Sequence, residues 1–187
     1  MTPLRFLLAA CAFAALALPS AAIAQVESTP IPGPPKPDFS SMAYMLGTWS
    51  CSTKSERRPA AYTSRTTYSM SRDGWWIEGV TVTDPMPWFS TKIKTTNYDH
   101  ITYDANANRW VDLYHADNGG YDLLTSPGWK GNTIAWHSMA FPLSAEVPAI
   151  DDTVVTKLSD TSQTARWGFT EKSGRKVAVV TTCSKSG

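Results

Sequence analysis

The sequence predicts an all-β protein: a closed antiparallel meander barrel of about ten strands, with a short N-terminal helix covering one end. Three observations carry this. From Gly47 onward the chain is a succession of short runs rich in Val, Ile, Thr, Tyr and Trp, none with a sustained helical apolar stripe. Most connections between them are too short for parallel crossovers, so neighbours in sequence should pair antiparallel. Finally, Cys51 and Cys183 stand in the first and last of these runs. A bond between them would join the two edges of the sheet, and closing the sheet leaves no edge exposed. A β-sandwich made of the same strands is the alternative.

The N-terminus reads as a secretory signal over residues 1–24. Arg5 supplies the positive charge, Leu7 to Leu18 is continuously apolar, and Ala22-Ile23-Ala24 offers a small-residue cleavage site before Gln25. The apolar run is too short for a membrane span, and nothing later approaches the ~20 apolar residues a spanning helix needs. Leu8-Ala9-Ala10-Cys11 allows a different reading, a lipobox with lipid anchoring at Cys11. Cleavage before Gln25 removes Cys11 and leaves the pair Cys51 and Cys183. An even pair in a periplasmic or secreted chain points to a disulfide, with two separate buried thiols as the alternative. No Cys-x-x-Cys or His-x-x-x-His spacing suggests a metal.

Charge excludes more than it suggests. Of 17 Lys and Arg, Arg5 leaves with the signal, so 16 basic residues face 16 acidic ones. Basic residues do not cluster beyond Arg57-Arg58, which gives no support for nucleic acid or an anionic membrane as partner. Eight Trp and seven Tyr are the compositional feature, because large aromatics fill cores and line pockets.

In chain order, residues 25–38 carry Pro30, Pro32, Pro34, Pro35 and Pro37 and read as an extended linker; the barrel domain is assigned to 39–187. Asp38 to Tyr44 suits a short helix capped by Asp38 or Ser40, with Phe39, Met42 and Met45 on the face that would cover the barrel. Strands are expected at 48–54, 61–70, 75–83, 92–103, 109–116, 120–125, 133–139, 152–158, 163–170 and 176–184. Turn residues separate them at 71–74, 104–108, 117–120, 128–132 and 172–174. Two longer connections, 84–89 and 140–150, are apolar and proline-bearing, suited either to a lid over the barrel mouth or to packing on its outside.

Leu46-Gly47-Thr48-Trp49 resembles the opening of lipocalins, in which a short helix precedes a Gly-x-Trp on the first strand. In that family the glycine allows close approach of another segment and the tryptophan fills the closed end. Ten strands are more similar to fatty-acid-binding and nitrobindin-like barrels. The chain also resembles an uncharacterised family of exported bacterial proteins with lipocalin-like, calycin-type barrels. The matching stretches are Leu46 to Cys51, Asp73-Gly74-Trp75-Trp76, Arg109-Trp110-Val111, Gly119-Gly120-Tyr121, Ser126 to Gly131 and Thr182-Cys183. The resemblance implies a fold and an export route, and no activity. Where lipocalins set an arginine over the Gly-x-Trp tryptophan, only Lys185 is available here. The C-terminal histidine that holds haem in nitrobindin-like proteins has no counterpart, the last histidine being His137. No cofactor is therefore assigned.

Hydrolase, phosphate-binding and dinucleotide-binding motifs are absent from the sequence. The candidate ligand-binding residues are Trp76, Glu78, Tyr98, His100, Tyr114, Trp136, Arg166 and Trp167, with Gly47 and Trp49 structural. Glu78 shares a strand face with Trp76, Val80 and Val82, and the opposite face carries Trp75, Ile77, Gly79 and Thr81, so alternation leaves its side open. If inward, Glu78 and His100 with Arg166 or Tyr114 would form an interior acid–base cluster. The expected function is binding of a small, largely apolar molecule, with an isomerase- or cyclase-type enzyme or a non-binding envelope module as alternatives. No membrane-spanning partner role is indicated, and the oligomeric state is left open.

Overall fold

The computed structural model describes residues 33–58, 60–86, 94–142, 144 and 146–186. The strands are β1 (Gly47–Ser55), β2 (Tyr62–Met70), β3 (Ile77–Thr83), β4 (Thr95–Asp104), β5 (Arg109–Ala116), β6 (Tyr121–Ser126), β7 (Trp129–Lys130), β8 (Thr133–Ser138), β9 (Ala149–Ile150), β10 (Thr153–Ser159), β11 (Ser162–Thr170) and β12 (Lys176–Lys185). Ten of these close into one antiparallel barrel. Pairing runs β1 to β6 in order, then β6 to β8, β8 to β10, β10 to β11, β11 to β12, and β12 back to β1. The two-residue strands β7 and β9 are additions, hydrogen-bonded to β8 and β11.

Boundaries differ from expectation where side chains capture backbone. Trp75 and Trp76 remain in the turn before β3. There Asp73 Oδ1 accepts from the Trp75 N–H at 3.1 Å and Ser71 Oγ from the Trp76 N–H at 3.0 Å. The signal segment, residues 25–32 of the linker, and Trp88 and Phe89 of the first long loop lie outside the described residues. Among the described residues no helix is long and apolar enough to cross a membrane.

Cys51 and Cys183 face each other directly across β1 and β12 and are bonded, their Cα atoms 4.1 Å apart. This is the joint that the meander predicts.

The two ends of the barrel are chemically different. At one end the 3₁₀ segment Ser40–Met45 drops Met42, fully buried, onto Ile77, Ile101, Trp110, Ile134 and Trp136. Trp49, also fully buried, donates from Nε1 to the Met45 carbonyl at 2.7 Å, and Lys185 Nζ lies 5.2 Å over its ring. Gly47 has φ 109°, a backbone conformation that side-chain-bearing residues rarely adopt. A Cβ there would meet nothing closer than Lys185 Cε at 3.9 Å, so conformation, and not close approach, accounts for this glycine.

Toward the other end the inward residues are small and polar. Thr53, Ser55, Thr66 and Thr83 are buried, and cross-strand pairs Thr53–Thr181 and Thr66–Thr81 hydrogen-bond at 2.9 and 2.8 Å. An eight-stranded barrel is already just wide enough to enclose a small ligand.

Candidate functional site

Strand register places a polar row across the inner wall. Tyr68 of β2 pairs with Gly79 of β3, Gly79 with Asp99 of β4, Asp99 with Tyr114 of β5, and Tyr114 with Asp122 of β6. Residues paired across antiparallel strands share a sheet face. That face is the inner one, because two residues along the same strands stand Ile77 and Ile101, exposed 0% and 2%. The next row is Ile77, Ile101, Asp112 and Leu124. Asp99 and Asp112 therefore stand on adjacent strands in adjacent rows, between the apolar plug and the threonine-lined half.

Gly79 makes this row possible. A Cβ at this position would come within 2.5 Å of Tyr68 Cε1 and 3.0 Å of Asp99 Oδ2. The missing side chain is the space into which the tyrosine ring and the carboxylate lean.

The three aspartates are treated differently by the fold. Asp122 is fully employed: its carboxylate accepts from the Leu123 N–H at 2.7 Å, Ser138 Oγ at 2.6 Å and the Ala140 N–H at 3.1 Å. It thereby pins the start of the long connection after β8. Asp112 is 9% exposed, and its Oδ1 has no hydrogen-bond partner. Neither Asp99 nor Asp112 forms an ion pair with a lysine, arginine or histidine among the described residues.

Loss of water pushes the Asp99 carboxyl up to about 7. Asp112 is raised well above the ordinary carboxylate range, by burial first and by the Asp99 charge next, against a backbone N–H of His100 that acts the other way. Tyr114 is pushed up to about 12 by burial and by the Asp99 charge after it. Tyr68 is raised by burial and then by Asp99 and Asp112. Tyr68 and Asp99 stand on the inner face and keep part of their surface accessible.

The sequence-derived candidates divide between the two faces. Tyr114, Trp136 and Trp167 point inward: Trp136 is buried, and Trp167 pairs with buried Val179. Glu78, Tyr98, His100 and Arg166 lie on the outer face, so Glu78 and His100 form no interior cluster with Arg166 or Tyr114. Glu78 and His100 pair on the outside of β3 and β4, while Ile77, Gly79 and Thr81 take the inner face. The physical reason is Gly79: only the glycine face can receive Tyr68. His100 and Tyr98 instead stack with His115 on the exterior, at ring separations of 5.7 and 4.8 Å. Trp76 lines an exterior hollow of about 530 Å³ with Ser71, Arg72, Asp73 and Glu78.

A larger trough of about 790 Å³ also lies on the outside, over β12, β1, β2 and β3, lined by residues such as Ser50, Ser52, Thr63, Arg65 and Ser184. Among the described residues it holds no buried polar atom without a partner, whereas the inner face has one in Asp112. Tyr68, Asp99 and Asp112 were not singled out by sequence reasoning. One signal was present: Ile101, the one aliphatic residue of β4, shares its alternation with Asp99.

No family model matches the chain, and no curated protein matches it. Among solved structures it is similar to a protein of unknown function from the DUF3598 family of Nostoc punctiforme PCC 73102, at 12% sequence identity and a TM-score of 0.35. That alignment covers 86% of this chain and 53% of the other, so this chain spans about half the length of that protein. At this level the likeness carries no argument, and the barrel rests on its own strand pairing.

Proposed function

We propose that this is an exported protein that binds a small, largely apolar molecule inside the barrel and holds its polar group against Tyr68, Asp99, Asp112 and Tyr114. One observation carries the reading: a nine-tenths-buried carboxylate, Asp112, turns an oxygen with no protein partner toward the interior. A buried polar atom without a partner costs stability, and folds seldom keep one that has no use. A closed ten-stranded barrel has the width to enclose a small ligand, and the partly buried inward residues Leu124 and Trp167 offer an apolar surface for the rest of the molecule. A disulfide fits an oxidising compartment. Outward residues such as Ser50, Ser52, Lys54, Arg65 and Glu78 suit water better than lipid.

Native mass spectrometry of the protein purified from its own host tests this. A co-purified small molecule, lost on denaturation, is the expected result. An apo mass under conditions that preserve the fold, together with failure to bind any small apolar probe, overturns the reading.

A second reading is favoured by the Asp99 carboxyl, held near neutrality beside Tyr114. Such a carboxyl can take and return a proton at working pH, as an isomerase requires. Chemical change of the bound molecule over time distinguishes catalysis from storage.

A further inference from the structure

Among the described residues, every charge that bears on the interior row is negative or a tyrosine's. The groups acting on Asp112 are Asp99 and Asp122; those acting on Tyr114 are Asp99, Tyr62, Asp117 and Asp112; those acting on Tyr68 are Asp99, Asp112 and Tyr44. Among the described residues no lysine or arginine contributes at any of them. Lys185 lies over Trp49, and Lys157 over Tyr44 and against Asp160. The row is thus an uncompensated acidic site, with one carboxylate oxygen left open and two tyrosine rings beside it. Aromatic faces attract cations as carboxylates do, because the ring quadrupole is negative on its face.

Resting on the reading that the ligand lies inside the barrel, we infer that its polar group is a protonated amine, seated on Asp99 and Asp112 between Tyr68 and Tyr114. An ammonium donates three hydrogen bonds and accepts none, so it satisfies the open Asp112 oxygen and cancels the field of both carboxylates. A carboxylate ligand would add a like charge to the same enclosed space and is disfavoured. The apolar body of the amine lies toward the partly buried Leu124, which pairs with Asp112 in the adjoining row.

Three probes of one shape and different charge test the inference: tryptamine, 3-ethylindole and indole-3-propionate, titrated calorimetrically into the full-length protein at pH 7.5. Tryptamine should bind at least tenfold more tightly than either of the others. Asp99→Asn and Asp112→Asn should each erase that preference, weakening tryptamine at least tenfold and 3-ethylindole less than twofold. Both substitutions keep shape and remove an enclosed charge, and a thermal unfolding curve on each verifies the fold. Equal or tighter binding of the neutral or anionic probe overturns the amine while leaving an interior ligand in place. An amine preference that survives both substitutions overturns its assignment to these carboxylates. No tryptamine binding up to about 1 mM, an affinity of only about 4 kcal/mol, overturns it as well. The interior-ligand reading fails separately, on an empty protein from the host.

Discussion

A carboxylate that has lost water and kept one oxygen without a partner is a cost to the fold, and Asp112 carries that cost in the unliganded barrel. Asp112→Asn should therefore raise stability at pH 8 by about 1–3 kcal/mol in urea unfolding, and change it little at pH 4, where the aspartate is already neutral. Asp99 adds a pH signature. Its carboxyl is raised from 3.8 to about 7 in the fold, so between these values the folded state binds the proton that the unfolded chain releases. Stability from this group is fully present below about pH 4 and is lost as pH rises through about 7. Urea midpoints across pH 4 to 8 should fall on the alkaline side, and the slope should flatten in Asp99→Asn. A slope that is unchanged places the titration elsewhere. Gly79 is the steric counterpart. Gly79→Ala drives a methyl into the Tyr68 ring and should cost about 1–3 kcal/mol. A neutral result would mean that the ring yields freely and that the row is not held as described.

At the scale of elements, the plug and the wall do different work. The 3₁₀ segment is too short to stand on its own hydrogen bonds and is held by what Met42 buries. Met42→Ala should cost about 2–5 kcal/mol, because truncating a fully buried side chain loses its transfer energy and leaves a cavity. The interior row should survive this change, which removes packing at one end only; retained tryptamine binding in the variant is the measurement that separates plug from site. The connection after β8 is not a free lid in the described residues. Asp122 pins its start, and Ala149–Ile150 continues along β11.

For the whole molecule, the Cys51–Cys183 bond spans 132 residues of sequence and only one step of the ladder. In the chain-entropy picture a bond of that span restrains the unfolded chain strongly, and removing it typically costs about 2–5 kcal/mol. The Cys51→Ser/Cys183→Ser double variant should lose that much in urea unfolding while keeping its far-ultraviolet circular dichroism, because seven residue pairs of β1 and β12 still join the strands. Loss of the barrel spectrum would show that the disulfide, and not the ladder, closes the sheet.

The strands and their order were legible in the sequence because turn chemistry is local: Asp, Asn, Ser and Gly at the connections mark where each strand must stop, whatever surrounds it. Closure was legible too, since two cysteines at opposite ends of a meander have one useful place to meet. The faces were not. In β5, Val111 and Leu113 look like the core side of the strand, yet Leu113 is 42% exposed and the inner face carries Trp110, Asp112 and Tyr114. In β3, Val80 and Val82 outnumber Ile77 and still turn outward. A strand face holds only three to five residues, too few for hydrophobic count to outweigh register. The side that turns inward is decided by neighbours: Gly79 must receive Tyr68, and Ile77 must meet Ile101. The sequence by itself determined a closed barrel and its cysteine joint, both products of local turns and chain order. Only the tertiary structure decided that the centre is acidic, because a row of residues drawn from five strands exists nowhere along the chain.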